Sequence, residues 1–267
     1  MPSWRRARRG TGPARIGAVD PGPSRRTFVT RSLAGLGALA MPGAEPSASP
    51  SRPLSVVCVG GHPDDPETGC GGTLAAYAEL GHRATVVYLT RGERGIPGRS
   101  LAEAAAIRTA EATEACRILG ARAVFAGQID GDTEVSGPRA GELARLLEAE
   151  SPDIVFTHWP LDTHPDHQAA SLLAFRAWLS ARRRFALYFF EVNTGHQTMA
   201  FAPTDYVDVT ARREKKKGAL LAHRSQHGDA ILRDHVEIME AFRGREVGVA
   251  AAEGFVRVAR VEAPGSL

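Results

Sequence analysis

Two short clusters, His62-Pro63-Asp64-Asp65 and His164-Pro165-Asp166-His167, gather residue types that bind metals and move protons. Zinc takes imidazole nitrogen and carboxylate oxygen, and a catalytic site keeps three protein ligands and one open position. His62, Asp65 and His167 would supply two imidazoles and a carboxylate, with water in the open position. Asp64 is then free beside the metal as a general base. His164 can stand on the other side as a positive donor to a developing oxyanion. Both clusters also have plainer uses. A His-Pro-Asp run makes a turn in which proline sets the backbone, and Asp64 and Asp65 can cap a following helix. Two such clusters, each at the end of a strand, favour the metal reading.

The elements around them must bring distant parts of the chain together. Leu54–Val59 is an apolar, β-branched run ending at Gly60-Gly61, and similar runs lie at Ala84–Leu89, Ala123–Ala126, Ile154–Thr157 and Phe185–Glu191. Helical segments alternate with them, at Thr73–Leu80, Leu101–Leu119, Gly141–Glu150 and Gln168–Arg182. Apolar strands alternating with helices predict a three-layer, doubly wound α/β fold with a mostly parallel sheet. In such a sheet ligands bind beyond the carboxyl ends of the strands, where the strand order reverses. If the first and fourth strands flank that reversal, the two clusters face one crevice. The tail is less regular, with a short strand near Tyr206–Val209, helices near Arg212–His223 and Ile231–Phe242, and a strand at Phe255–Val261.

Composition narrows the class. The 267 residues are 43% hydrophobic and 24% charged, ordinary for one soluble α/β domain with an appendage. No uncharged apolar run reaches the roughly 18 residues that a spanning helix needs. The net charge of +3 is misleading, because residues 1–40 hold eight arginines and one acid, a net +7, and leave −4 for the remainder. A mildly acidic body argues against nucleic acid as a partner. Residues 24–30, Ser-Arg-Arg-Thr-Phe-Val-Thr, precede a modest Gly/Ala-rich apolar run ending in Ala38-Leu39-Ala40. This resembles a twin-arginine export signal with a small-residue cleavage site. The expected organisation is a signal over 1–40, a tether over 41–52 and a catalytic domain over 53–262. The twin-arginine export machinery would then be a partner, and the mature protein periplasmic, envelope-bound or extracellular. Cys58, Cys70 and Cys116 are odd in number and lack paired spacing, so neither a disulfide framework nor a thiolate zinc site is expected.

The run from Val59 to Thr73, Val-Gly-Gly-His-Pro-Asp-Asp-Pro-Glu-Thr-Gly-Cys-Gly-Gly-Thr, resembles the N-terminal motif of the PIG-L/LmbE-like de-N-acetylases. His164-Pro165-Asp166-His167 resembles their second motif. Leu89-Thr90-Arg91-Gly92-Glu93, Arg108 with Glu111, and His223-Arg224-Ser225-Gln226 extend the likeness over roughly residues 54–230. The family's usual acid after the two aspartates is replaced here by Pro66, with Glu67 one place on. The resemblance implies a Rossmann-like fold and hydrolysis of an N-acetyl group from an N-acetylglucosamine unit with one divalent metal. It implies zinc, or iron(II) in its place, held by His62, Asp65 and His167. Asp64 would take a proton from the attacking water and pass it to the leaving amine, and His164 would stabilise the tetrahedral intermediate. Arg108 would reach the substrate, although an i,i+3 pair with Glu111 is an equally good use of it. Asp130, in Ile129-Asp130-Gly131, is either a turn residue or a contact to a sugar hydroxyl. Trp159 could line a sugar site but suits core packing better. His223, Ser225 and Gln226 suit a structural role, holding the C-terminal region against the sheet.

Three rivals use some of the same features. Two histidines and one carboxylate also serve iron(II) oxygenases, but Asp64 has no task there. A nucleotide-binding oxidoreductase needs a Gly-x-Gly-x-x-Gly turn after the first strand, and Gly69-Cys70-Gly71-Gly72 has the wrong spacing. An exported carbohydrate-binding protein without turnover would have no use for the full set of ligands and base.

Overall fold

The computed structural model describes residues 52–182 and 184–258, together with a two-residue strand, β1, at Arg26–Thr27. Apart from Arg26–Thr27, the expected signal lies outside the described residues, as do most of the tether and residues 259–262 of the expected domain. The central strands are β2 (Ser55–Gly60), β3 (Arg83–Tyr88), β4 (Arg122–Phe125), β5 (Ile154–His158) and β6 (Ala186–Phe190). Two further strands, β7 (Asp205–Asp208) and β8 (Ala252–Arg257), complete a sheet of order β1-β7-β8-β6-β5-β2-β3-β4. All pairings are parallel except those that β8 makes with β6 and β7.

Strand β2 is buried along its whole length, as a central parallel strand covered on both faces must be. Its side chains alternate between the two faces. Val56 and Cys58 pack with Cys70 and Leu74 of α1 (Asp65–Glu79), with Ala112 and Ala115 of α2 (Leu101–Leu119), and with Ala219 of α5 (Arg213–Ala222). Val57 and Val59 pack with Leu143 and Leu147 of α3 (Gly137–Glu150) and with Leu173 and Ala174 of α4 (Pro165–Ser180). The result is the expected three-layer, doubly wound α/β arrangement. The C-terminal helical region runs through α6 (Gly228–Ile231), one π turn (Leu232–Val236) and α7 (Glu237–Val247) before β8.

The order of the central strands settles where the crevice lies. From β2 the chain moves outward through β3 and β4, then returns to β5 on the other side of β2. Val56–Val59 and Ile154–Thr157 thus form one parallel ladder, with Val59 opposite Thr157. The two histidine–aspartate clusters leave neighbouring strand ends at the reversal, which is what the expectation required.

Three helix starts differ from expectation. Helix α3 begins at Gly137 rather than Gly141, capped by the Ser136 side chain. Helix α1 begins at Asp65 rather than Thr73, because Gly69 to Gly72 do not break it. They let it lie close to its neighbours. A Cβ at Gly69 would stand 2.3 Å from the Phe190 ring, and one at Gly72 would stand 2.6 Å from Val209 Cγ1. Helix α4 begins at Pro165 rather than Gln168, because His164 caps it with its own side chain and proline is preset for the first turn. The last strand is Ala252–Arg257, earlier than the expected Phe255–Val261. The other boundaries move by a few residues. Among the described residues no helix is long and apolar enough to cross a membrane.

Candidate active site

Each cluster sits where a strand gives way to a helix. Gly60 and Gly61 leave β2, His62 follows, and Asp65 opens α1. Beyond β5, His164 caps α4 and His167 lies in its first turn. Both helices therefore present their N-terminal ends, with their partial positive charge, to the carboxylates of the crevice.

Asp65 is the hub. Its Oδ2 lies 3.1 Å from His62 Nδ1, 3.2 Å from His167 Nε2 and 3.4 Å from His158 Nε2, and the His62 backbone N–H donates to it at 2.8 Å. Burial would raise the Asp65 carboxyl, but His167 and His158 hold it well below the usual carboxylate range. His62 Nε2 meets Asp166 Oδ2 at 2.9 Å and Asp130 Oδ1 at 3.3 Å. His167 Nδ1 meets Asp162 Oδ1 at 3.1 Å. Both rings are thus held between carboxylates at both nitrogens. A neutral imidazole has one N–H and can satisfy only one such contact. The rings therefore favour positive charge. Burial alone would lower them, yet the carboxylates push His62 well above its ordinary value and His167 up to about 9.

This donor set fits a divalent cation, which would serve the same carboxylates that otherwise hold protons on the rings. Among the described residues, ligand atoms converge within 4.8 Å in three sets. These are His62, His164 and His167; Asp65, His158 and His167; and His62, Asp130, His164 and Asp166. The expected trio of His62, Asp65 and His167 is brought together through the Asp65 oxygen that both rings touch, rather than as one closed set of its own.

Asp64 stands beside this group in an unusual backbone conformation, φ 110° and ψ −30°. Its N–H donates to Glu67 Oε2 at 3.2 Å, and its Oδ2 accepts from Arg108 Nη2 at 3.2 Å. Burial pushes its carboxyl up to about 6, with Arg108 pulling the other way. A carboxylate poised near neutrality suits a general base. His164 Nδ1 accepts from the Asp166 backbone N–H at 3.2 Å, which leaves Nε2 as the nitrogen for a proton. Burial and the neighbouring His62 and His167 hold His164 below its ordinary value.

Arg108 is buried and does not pair with Glu111. It donates to the Pro63 carbonyl at 2.5 Å and to Asp64, while Glu111 accepts from the Ser225 backbone N–H and hydroxyl. Asp130 uses one oxygen on His62 and the other on the Arg94 backbone N–H, at 3.0 Å. Arg108 and Asp130 both line a cavity of about 480 Å³ with His62, Asp64, His164 and His167. That volume is in the range of small-molecule sites. Trp159 packs edge-on against Phe189 and Phe201, so it serves the core. His223 lies 3.2 Å from Glu67 Oε1, and Gln226 donates to the Gly95 carbonyl, so this segment does tie the C-terminal region to the site.

Four residues of the site were given no role by the sequence reading. His158 ends β5, accepts from the Gly61 N–H at 3.0 Å and stacks on His167 with ring centroids 4.1 Å apart. Asp162 holds His167 and also accepts from the His164 N–H and the Thr198 hydroxyl. Asp166 holds His62 and accepts from the Gly131 N–H and the Thr133 hydroxyl. Glu67 accepts from the Tyr88 hydroxyl at 2.5 Å and fixes Asp64. Asp162 precedes the second cluster and Asp166 lies within it, and carboxylates behind metal-binding histidines are a general pattern that could have singled them out.

Comparison with known proteins agrees with this geometry. Residues 57–178, which span both clusters, match the family described as PIG-L, GlcNAc-PI de-N-acetylase. The chain is 28% identical to the diacetylchitobiose deacetylase of Thermococcus kodakarensis, over 74% of this chain and 81% of that one. It is 31% identical to a probable N-acetyl-α-D-glucosaminyl L-malate deacetylase 2 of Bacillus anthracis, over 66% of this chain and 83% of the other. The solved N,N'-diacetylchitobiose deacetylase of Pyrococcus horikoshii superposes with a TM-score of 0.68 at 28% identity, covering 76% of this chain and 83% of its own. The shared sequence, the shared fold and the two clusters at one crevice place the chain in the PIG-L family of de-N-acetylases.

Proposed function

We propose that the protein is a zinc-dependent hydrolase that removes the N-acetyl group from an N-acetylglucosamine-type sugar conjugate. One observation carries this reading. The Asp65 oxygen is ringed by the imidazoles of His62, His158 and His167, and the raised carboxyl of Asp64 stands beside it at the same cavity. His62, Asp65 and His167 would hold the ion, which when bound lowers the pKa of water and polarises the amide carbonyl. Iron(II) suits the same donors.

The chain's own residues do the rest. Asp64 accepts a proton from the attacking water and returns it to the departing nitrogen, since an amine leaves only when protonated. Arg108 and Glu67 hold Asp64 in the conformation that aims it. His164 donates from Nε2 to the oxygen that becomes negative in the tetrahedral intermediate. Asp162 and Asp166 fix the orientations of His167 and His62. A binding protein without turnover would need neither the base nor its supports.

The deciding experiment is acetate release from N-acetylated sugars, before and after chelation and zinc return. Release that vanishes with chelator and returns with zinc supports the reading. Retention of sugar by the zinc-loaded protein with no acetate formed would favour the non-catalytic alternative. We also propose export, on the Arg25-Arg26 signal-like segment alone. Cell fractionation with and without an Arg25→Lys, Arg26→Lys double change would test it, and unchanged location would refute it.

A further inference from the structure

The charged groups lining the cavity are nearly all engaged. His62, Asp65 and His167 bind one another, and Arg108, only 3% exposed, is committed to Pro63 and Asp64. Arg94 differs. It lines the same cavity and is exposed, and among the described residues no carboxylate forms an ion pair with its guanidinium.

Its position is nevertheless built. The Arg94 backbone N–H is held by Asp130 Oδ2, and the other oxygen of Asp130 touches His62, so Arg94 stands one carboxylate away from the proposed ion. Both Asp130 oxygens make these contacts, and among the described residues its carboxylate forms no ion pair with the guanidinium. The Arg94 side chain passes over Gly131, where a Cβ would lie 2.9 Å from Nη1. Beside it, Gln226 is tied to the Gly95 carbonyl and lines the same wall. The acidic inner end of the cavity thus gives way to an unneutralised guanidinium at the exposed side. A planar guanidinium with paired N–H donors matches a carboxylate or a phosphate.

We propose that Arg94 binds an oxyanion on the group attached to the N-acetylated sugar, so that the substrate class is an acidic N-acetylhexosamine conjugate. This rests on the deacetylase reading above. The acetamide lies at the inner end against Asp64 and His164, and the attached acidic group lies at the exposed side against Arg94. A neutral conjugate leaves the cation with hydroxyls and water only.

The test compares kcat/KM of the zinc-loaded protein on three probes: N-acetylglucosaminyl L-malate, N-acetylglucosamine 1-phosphate and diacetylchitobiose. The two acidic probes should exceed the neutral one, and their ranking tells carboxylate from phosphate. Arg94→Gln should lower the acidic-to-neutral ratio roughly 10- to 100-fold, the range of one hydrogen bond to a charged group. Arg94→Lys should restore part of the ratio, and added salt should erode it in the wild type. A neutral probe used as well as the acidic ones, or an Arg94→Gln loss equal on all three, would overturn the inference while leaving deacetylation intact. If no probe releases acetate, binding to the Asp64→Asn protein separates the two ideas. Tighter binding of acidic probes that disappears on adding Arg94→Gln would keep the anion site and remove the reaction. Equal or absent binding would remove the anion site.

Discussion

Arg108 Nη2 reaches the Asp64 carboxylate at 3.2 Å and the Pro63 carbonyl at 2.5 Å, so one buried guanidinium holds both the side chain and the turn of the proposed base. The contact helps hold Asp64 at its positive φ, which is uncommon outside glycine. It also opposes the burial that raises the Asp64 carboxyl.

A pH dependence follows. A base must be deprotonated to act, and the Asp64 carboxyl is pushed up to about 6. Turnover is therefore expected to rise as pH climbs through that region and to fade below it. Arg108→Gln removes the opposing charge, so the acid limb should shift upward by about 1 unit or more. The loss should then be greater at mildly acidic pH than at alkaline pH. A pH–kcat profile reads both; an acid limb identical in the two proteins would mean that Arg108 does not tune the base.

The two adjacent aspartates should separate cleanly. Asp64→Asn is expected to keep the metal and lose turnover by roughly 10²- to 10⁴-fold, the range of general-base catalysis. Asp65→Asn and His167→Ala should lose the metal itself. Metal content of the purified variants, measured by atomic emission, decides it. Equal depletion in both aspartate variants would sink the division of roles, and full occupancy in His167→Ala would remove that residue from the ligand set.

Asp162 offers a test that leaves every proposed ligand in place. It holds His167 Nδ1 at 3.1 Å and is itself fixed by the Thr198 hydroxyl. Asp162→Asn should weaken metal affinity by roughly 10- to 100-fold, as loss of such a supporting carboxylate generally does. Competition against a chelator would show it, and unchanged affinity would reduce Asp162 to a loop anchor.

Away from the site, Lys216 is buried between Glu240 at 2.9 Å and Glu253 at 2.7 Å. Glu253 also accepts from the Gly72 and Thr73 backbone N–H groups of α1. Lys216→Met leaves buried Glu253 without its cation and Glu240 with Arg213 alone, and is expected to cost about 3–5 kcal/mol. Urea unfolding measures this. A loss within the scatter of surface substitutions would show that water replaces the ammonium.

Gly72 tests the reason for the early start of α1. Gly72→Ala places a Cβ 2.6 Å from Val209 Cγ1 and should destabilise by about 1–3 kcal/mol through overpacking. Adding Val209→Ala should recover part of that loss. Strict additivity of the two changes would mean that the contact is not the cause.

The sequence by itself determined the alternation of strand and helix, the two histidine–aspartate clusters and their places after strands, because residue type and spacing carry these locally. It also carried the family. Only the tertiary structure decided that β2 pairs with β5, and with it that His62 and His167 meet at one Asp65 oxygen. It turned Arg108 from Glu111 to Asp64, and it assigned His158, Asp162, Asp166 and Glu67 to the site. The glycines of α1 read as a break in one dimension and as close packing in three. The physical reason is the same each time. Polar side chains and glycines take their meaning from what lies across the interface, and that neighbour is set by strand order rather than by the residues adjacent in the chain.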